Sequence, residues 1–398
     1  MKLGTKFSAL GVVISIAAFP ALAQKAPDPE WLNLNQQYRD LAQAGKFDDA
    51  LPVAQHELEI SQRKNDATVG TSLSNIGDAL CAQGHLGEAQ QYFRRAAAAT
   101  EKSLGQNHPS IAADLVKIAA LFLADEQTDQ AEALLKRAQA INDKAVGTSR
   151  VDVAAILDKM AGIYASFDKL AQAERLYQRQ LTVQEAALGP DSAEVAVALV
   201  KLANLYRTEN QFALAEPLYK RAIAIQEKSF GPDRPETANT LNALATLYTA
   251  QKQYGNAEPL AKRALGILEK TVGPSDQSVA ACLNNLSKIS RAQRDFAAAQ
   301  GYVKRSLAIS EKNLGPDNAE VASRLMELAI LYGTDNNYAQ AEPLMTRALA
   351  IYEKTLGPNH PNVAAALSNL AKVERALGHT SDADAADKRA NTILAMKQ

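Results

Sequence analysis

The chain has 398 residues, 47% of them apolar and only 6% aromatic, and its 43 basic side chains nearly balance 44 acidic ones. A composition this rich in alanine fits closely packed helices and disfavours a sheet protein. With no basic excess to neutralise a phosphate backbone, nucleic acid is excluded as an expected partner.

The first 23 residues stand apart. Lys2 and Lys6 precede a mostly apolar run from Phe7 to Phe19, and Ala21-Leu22-Ala23 supplies the small residues of a cleavage site. This is the pattern of a secretory signal peptide, cut after Ala23. The run is too short to span a bilayer as a stable helix, and no cysteine follows the cut to carry a lipid. No later stretch reads as a transmembrane segment, so the mature chain is expected in the periplasm or outside the cell. Residues 24–30, with Pro27 and Pro29, read as a short leader.

From residue 31 onward one unit is copied. A first helix pair over 31–63 is expected to cap the array, because its Ala50 precedes Ala89 by 39 residues rather than 42. Repeats then run over about 66–357. Their closing glycine returns every 42 residues at Gly105, Gly147, Gly189, Gly231, Gly273, Gly315 and Gly357, and their central alanine keeps the same step from Ala89 to Ala383. A last pair over 361–396 lacks the closing glycine, is richer in Asp and Lys, and reads as the C-terminal cap. A fixed period of this size marks a solenoid in which each helix pair buries its apolar face against the next. The expectation is an all-α chain of about nine antiparallel helix pairs with one continuous core.

The unit Ala193–Gly231 shows why the segments are helical. Val195, Leu199, Leu202, Ala203 and Tyr206 make one apolar stripe, and Phe212, Ala215, Tyr219, Ala222 and Ile225 make a second at the same 3.6-residue period. Ala203, Ala215 and Ala222 mark positions where a larger side chain would push two helices apart. Pro109, Pro235 and Pro361 suit a first helical turn, where the missing N–H has no intrahelical partner. Each closing glycine suits a left-handed C-terminal cap. Pro52, Pro217, Pro259 and Pro343 share a register early in the second helix, tolerable near its first turn.

Catalytic chemistry has no foothold. The five histidines are scattered, and no phosphate-binding glycine loop, zinc spacing or nucleophile elbow occurs. Cys81 and Cys282 fall about five repeats apart, too far for a disulfide that needs Cα atoms within about 7 Å. Neither an enzyme nor a cofactor or metal is expected. A carbohydrate-binding module is disfavoured because the single Trp31 lies in the capping pair. The Lys-Arg pairs at 136–137, 220–221, 262–263 and 304–305 read as solvated helix surface, with Glu132, Glu216 and Glu258 four residues before a lysine.

The pattern of Leu199, Leu202-Ala203, Tyr206, Ala215, Tyr219 and Ala222 resembles the tetratricopeptide repeat. Its 42-residue length and the strings Leu-Tyr, Ala-Glu-Pro-Leu, Lys-Arg-Ala and Leu-Gly-Pro resemble the variant of kinesin light chains and nephrocystin-like proteins. The resemblance covers about residues 66–378 well and the ends loosely. It implies a right-handed superhelix whose first helices line a concave groove for peptides or protein segments.

On that implied groove, positions one, five and eight beyond the leading leucine give three rows. They are Val200, Asn204 and Arg207; Asn242, Thr246 and Thr249; and Asn284, Lys288 and Arg291. Lys201 and Asn285 lie on the shoulder, as Lys117 and Lys159 do earlier. Nearer the N-terminus the row becomes Val116, Ala120 and Leu123, and later it is apolar at Met326 and Ile330. The candidate partner-binding residues are therefore Lys201, Asn204, Arg207, Asn242, Thr246, Asn284, Asn285, Lys288 and Arg291. Asparagine both donates to and accepts from an extended backbone, while Lys and Arg favour acidic residues or a free C-terminal carboxylate. The function expected is a non-enzymatic scaffold that holds a protein or peptide partner. The alternative is a structural subunit of an envelope assembly or secretion complex.

Overall fold

A computed structural model describes residues 27–64, 66–124, 127–144, 150–166 and 168–395. The expected signal peptide over 1–23, most of the leader and the closing Gly147 lie outside the described residues.

Among the described residues there are eighteen α-helices and no strands. In chain order they are α1 (Pro29–Gln43), α2 (Phe47–Lys64), α3 (Val69–Ala82), α4 (Leu86–Leu104), α5 (Pro109–Ala124), α6 (Thr128–Lys144), α7 (Arg150–Ser166), α8 (Leu170–Leu188) and α9 (Ala193–Thr208). There follow α10 (Phe212–Phe230), α11 (Pro235–Ala250), α12 (Tyr254–Thr271), α13 (Gln277–Ala292), α14 (Phe296–Leu314), α15 (Ala319–Thr334), α16 (Tyr338–Leu356), α17 (Pro361–Leu377) and α18 (Thr380–Ala395). The chain forms two compact units, one ending at Leu205 and one beginning at Tyr206. In the first, α1 packs with α2, α3 with α4, α5 with α6 and α7 with α8, and α2, α4 and α6 meet the first helix of the next pair. In the second, α11 pairs with α12, α13 with α14, α15 with α16 and α17 with α18, linked in the same way. No described helix is long and apolar enough to cross a membrane.

The expected stripes are the buried ones. Val195, Leu199, Leu202 and Ala203 are buried in the first unit, and Ala215, Tyr219, Ala222 and Ile225 in the second. From α3 onward the small position of the first helix is Ala119, Ala161, Ala203, Ala245, Ser287, Ala329 and Ala371, but Gly77 in α3. There the facing residue of α4 is Phe93, and a Cβ added to Gly77 would stand 2.5 Å from its ring. Gly77→Ala should therefore destabilise the chain by about 1–3 kcal/mol through overpacking. Thermal melts followed by circular dichroism measure this, and Phe93→Leu in the same chain should recover most of the loss.

Helix ends follow the sequence with one refinement. Pro109, Pro235 and Pro361 each open a helix. The closing glycines are not left-handed helical: Gly105, Gly189, Gly231, Gly315 and Gly357 have φ of 83 to 91° with ψ of 156 to 164°. Only glycine enters that region without strain, so the position is stricter than a left-handed cap. The left-handed residues lie instead in the turn between the two helices of a pair. Gly45, Gly84 and Gly378 occupy it toward the ends of the chain, and Asp168, Asn210, Lys252, Arg294 and Asn336 hold it with φ of 56 to 65° in between.

Candidate functional site

First helices of consecutive pairs touch through polar side chains spaced about one repeat apart. In the first unit this seam is ionic, buried at Lys117 and partly exposed at Lys201. Lys117 Nζ of α5 donates to Asp78 Oδ2 at 2.8 Å and to the Ser74 hydroxyl at 2.7 Å, both on α3. Ser74 in turn donates to Asp114 Oδ1 at 2.7 Å, and the Lys117 ammonium lies 4.9 Å above the Phe93 ring. All three ionisable groups are buried. Burial pushes the Asp78 carboxyl up against the pull of Lys117, and it raises Asp114 to about 7. Further along, Lys201 Nζ of α9 grips both Asp158 oxygens at 2.6 and 2.7 Å. Between these pairs stands Lys159, brought down to about 8 by burial and then by Lys117.

In the second unit the seam is neutral between α11 and α13, whereas between α13 and α15 Ser287 and Gln277 donate to the Glu327 and Glu320 carboxylates. Asn285 of α13 is buried and donates from Nδ2 to Asn242 Oδ1 of α11 at 3.1 Å, while Thr249 Oγ1 lies 3.2 Å from its Oδ1. Thr246 turns its hydroxyl back to its own helix, donating to the Asn242 carbonyl at 2.8 Å. Arg207, at the start of this unit, hydrogen-bonds Tyr219.

The candidate row thus divides by what each side chain already holds. Lys201, Arg207, Asn242, Thr246 and Asn285 are spent on the fold, since a seam between helices offers partners that water cannot displace. Asn285 in particular is a buried bridge rather than a contact residue. Asn204 is half-buried and already engaged. Asn284, Lys288 and Arg291 are different. They fall at i, i+4 and i+7 on one face of α13, Lys288 and Arg291 are exposed, and neither is among the ion pairs of the described residues. The Asn284 Oδ1 atom is buried and has no hydrogen-bond partner. Val116 and Ala120 are buried, so the expected N-terminal continuation of the row is core. The side chain of Leu123 lies outside the described residues. Met326 is buried and Ile330 half-buried on α15.

The second helices carry a ladder of another kind. Arg263 pairs with Glu227, Arg305 with Glu269, Arg347 with Glu311 and Arg389 with Glu353, each across one pair and at 2.5 to 2.7 Å. Arg137–Glu101 and Arg179–Asp143 do the same in the first unit. Lys220–Glu216 and Lys262–Glu258 form the expected i, i+4 pairs. A cleft of about 640 Å³ opens between α10, α11 and α12, floored by Leu241, Leu244 and Leu260, but its charges Glu216, Lys220, Glu227 and Arg263 are all paired. Cys81 and Cys282 are buried, with thiols pushed up to about 12. Among the described residues no group of His, Cys, Asp and Glu could hold a metal ion.

No curated protein matches the chain closely enough to count as a relative. Among solved structures, BtubC (BKLC) from P. vanneervenii is 25% identical over 62% of this chain and 91% of its own, with a TM-score of 0.47. A kinesin light chain of Podosopora anserina with nearly identical repeats is 25% identical over 52% and 98%, also at 0.47. The apo form of RapI aligns over 92% of this chain and 97% of its own at 12% identity and a TM-score of 0.64, a likeness of fold alone. The tetratricopeptide repeat model matches residues 39–102, 68–144, 152–228, 194–270, 278–354 and 322–394. These six overlapping stretches take in most of the eighteen helices at the spacing the glycines set, and the chain belongs to the tetratricopeptide repeat family.

Proposed function

We propose that this chain is a non-enzymatic scaffold, exported from the cytoplasm, that holds a segment of a protein partner against the first helices of its second unit. The observation that carries the reading is the row Asn284, Lys288 and Arg291: two exposed cations without an ion pair beside an amide oxygen without a partner. A tetratricopeptide repeat fold alone names no ligand. A row of unspent polar groups on a rigid helix does point to one class. Lys and Arg would take acidic residues or a free C-terminal carboxylate of the partner, and the Asn284 amide N–H would donate to its backbone carbonyl. Export rests on Lys2, Lys6, the apolar run and Ala21-Leu22-Ala23.

Capture from an envelope extract, comparing the mature chain with its Asn284→Ala, Lys288→Ala, Arg291→Ala variant, tests the binding row. Charge-assisted hydrogen bonds contribute about 1.5–3 kcal/mol each, so loss of the captured partner is expected, and equal recovery would refute the row. N-terminal sequencing of the chain from a periplasmic fraction should begin at Gln24.

A second reading has its own observation. Phe230, Val272 and Leu314 precede closing glycines and stay exposed, one per repeat. Such a row would suit a structural subunit of an assembly. Light scattering of the mature chain decides, because a monomer at high concentration counts against self-assembly.

A further inference from the structure

Helix α3 is held on both sides by carboxyl groups that have no cation of their own. On one side stands Glu57 of α2, which is 0% exposed. Its two oxygens accept from Asn35 Nδ2 of α1 at 3.3 Å and from Asn75 Nδ2 of α3 at 2.8 Å. On the other side is Asp114 of α5, 3% exposed, which accepts from the Ser74 hydroxyl of α3. Neither carboxyl belongs to an ion pair among the described residues. The buried cation of this seam, Lys117, is committed to Asp78.

The charge balance follows from these contacts. Asp78 and Lys117 cancel. Tyr38 and Arg39 of α1 and Asn75 of α3 face Glu57, and Arg39 acts on it only at a distance. Ser74 and Asp78 of α3 and Lys117 of its own helix face Asp114, while Lys159 of α7 acts on Asp78 behind them. If ionised, Glu57 and Asp114 would each place a negative charge in the interior with no ion-pair partner, which proteins avoid by holding such groups neutral. The amide and hydroxyl donors favour the ionised form of each, but burial without a cation opposes it and is the larger cause.

We infer that Glu57 and Asp114 form a pH-operated latch on the first three helix pairs. With both neutral, no unpaired charge stands in the seam and α3 packs between α2 and α5; ionisation of both leaves two buried charges without cations and loosens that packing. Burial is the largest cause acting on each group and raises both to about 7, from ordinary values of 4.5 and 3.8. A raised folded value means that the folded seam binds protons the unfolded chain releases. Its stabilising effect is therefore complete below those ordinary values and is lost as pH rises through about 7.

The chain carries its own reporter. Trp31 is the single tryptophan, is 1% exposed, and donates its indole N–H across the seam to Ser72 of α3 at 2.8 Å. Emission and acrylamide quenching of the full chain are measured from pH 5 to pH 9. The expected result is a red shift and a several-fold rise in quenching with a midpoint near 7. The Glu57→Gln, Asp114→Asn variant, fixed in the neutral form, should keep Trp31 blue-shifted and protected throughout. Should that variant fail to fold by circular dichroism, Glu57→Gln alone should shrink the transition. A wild-type Trp31 signal that is flat across this range, or a folded variant showing the wild-type transition, would overturn the latch.

Discussion

Lys117→Met should cost the first unit about 3–5 kcal/mol at neutral pH, the loss typical of a buried ion pair deprived of one partner. Asp78 would be left without its cation in a site where its Oδ1 atom already has no hydrogen-bond partner, and would have to take up a proton or stand as a buried unpaired charge. Ser74 would lose the ammonium that donates to it. The loss should shrink toward pH 5, because burial already raises the Asp78 carboxyl and a protonated acid needs no counter-ion. Replacing both partners, as Lys117→Met with Asp78→Leu, should recover much of the stability, since well-packed apolar groups often match a buried pair. Chemical denaturation of the three chains at pH 5 and pH 7.5 measures each of these effects.

Trp31→Ala should be comparably severe, at about 3–5 kcal/mol for a buried large aromatic. The indole fills the interior of the first helix pair and fixes α1 to α3 through Ser72, while Tyr38 makes a second tie to the Asn75 carbonyl at 2.9 Å. Among the described residues this pair meets its neighbour chiefly through α2 and α3, so little else holds α1. Trp31→Phe keeps most of the buried surface and should lose only about 1 kcal/mol, the share of one hydrogen bond. Thermal melts rank the two variants. A Trp31→Ala chain that melts like the parent would show that α1 does not cap the array.

What the sequence made legible and what it hid follow from the length over which each signal acts. The repeat was readable because Leu199, Ala203, Tyr219 and Ala222 act within one helix pair, where the 3.6-residue period suffices. The seam was not. Lys201 meets Asp158 and Asn285 meets Asn242 at a separation of 43 residues, one repeat plus one. That offset depends on how neighbouring pairs are staggered, which no single-helix pattern contains. A face chosen by spacing therefore mixed residues that hold the repeats together with residues that face water.

The outer ladder was within reach of the sequence. An acid and an arginine recur 36 residues apart, from Glu101 and Arg137 to Glu353 and Arg389. The Lys-Arg strings drew attention to their lysines, and the arginines proved to serve the preceding pair. The turn register was hidden for another reason. Among the described residues Gly45, Gly84 and Gly378 display it, and Asp168, Asn210, Lys252, Arg294 and Asn336 carry the same left-handed backbone without a glycine to mark it. Lys252 and Arg294 lack the short polar side chain that eases this conformation for Asn and Asp.

In the proposed function a partner is read by the first-helix row of α13 and not by the paired charges of the second helices. Site-specific photo-crosslinking tests it most directly. A photoreactive residue placed at Lys288 or Arg291 should yield one partner adduct in an envelope extract. The same residue at Lys262, paired with Glu258 on α12, should yield none. Adducts from position 262 with none from 288 or 291 would contradict the assignment and move the binding surface to the second helices.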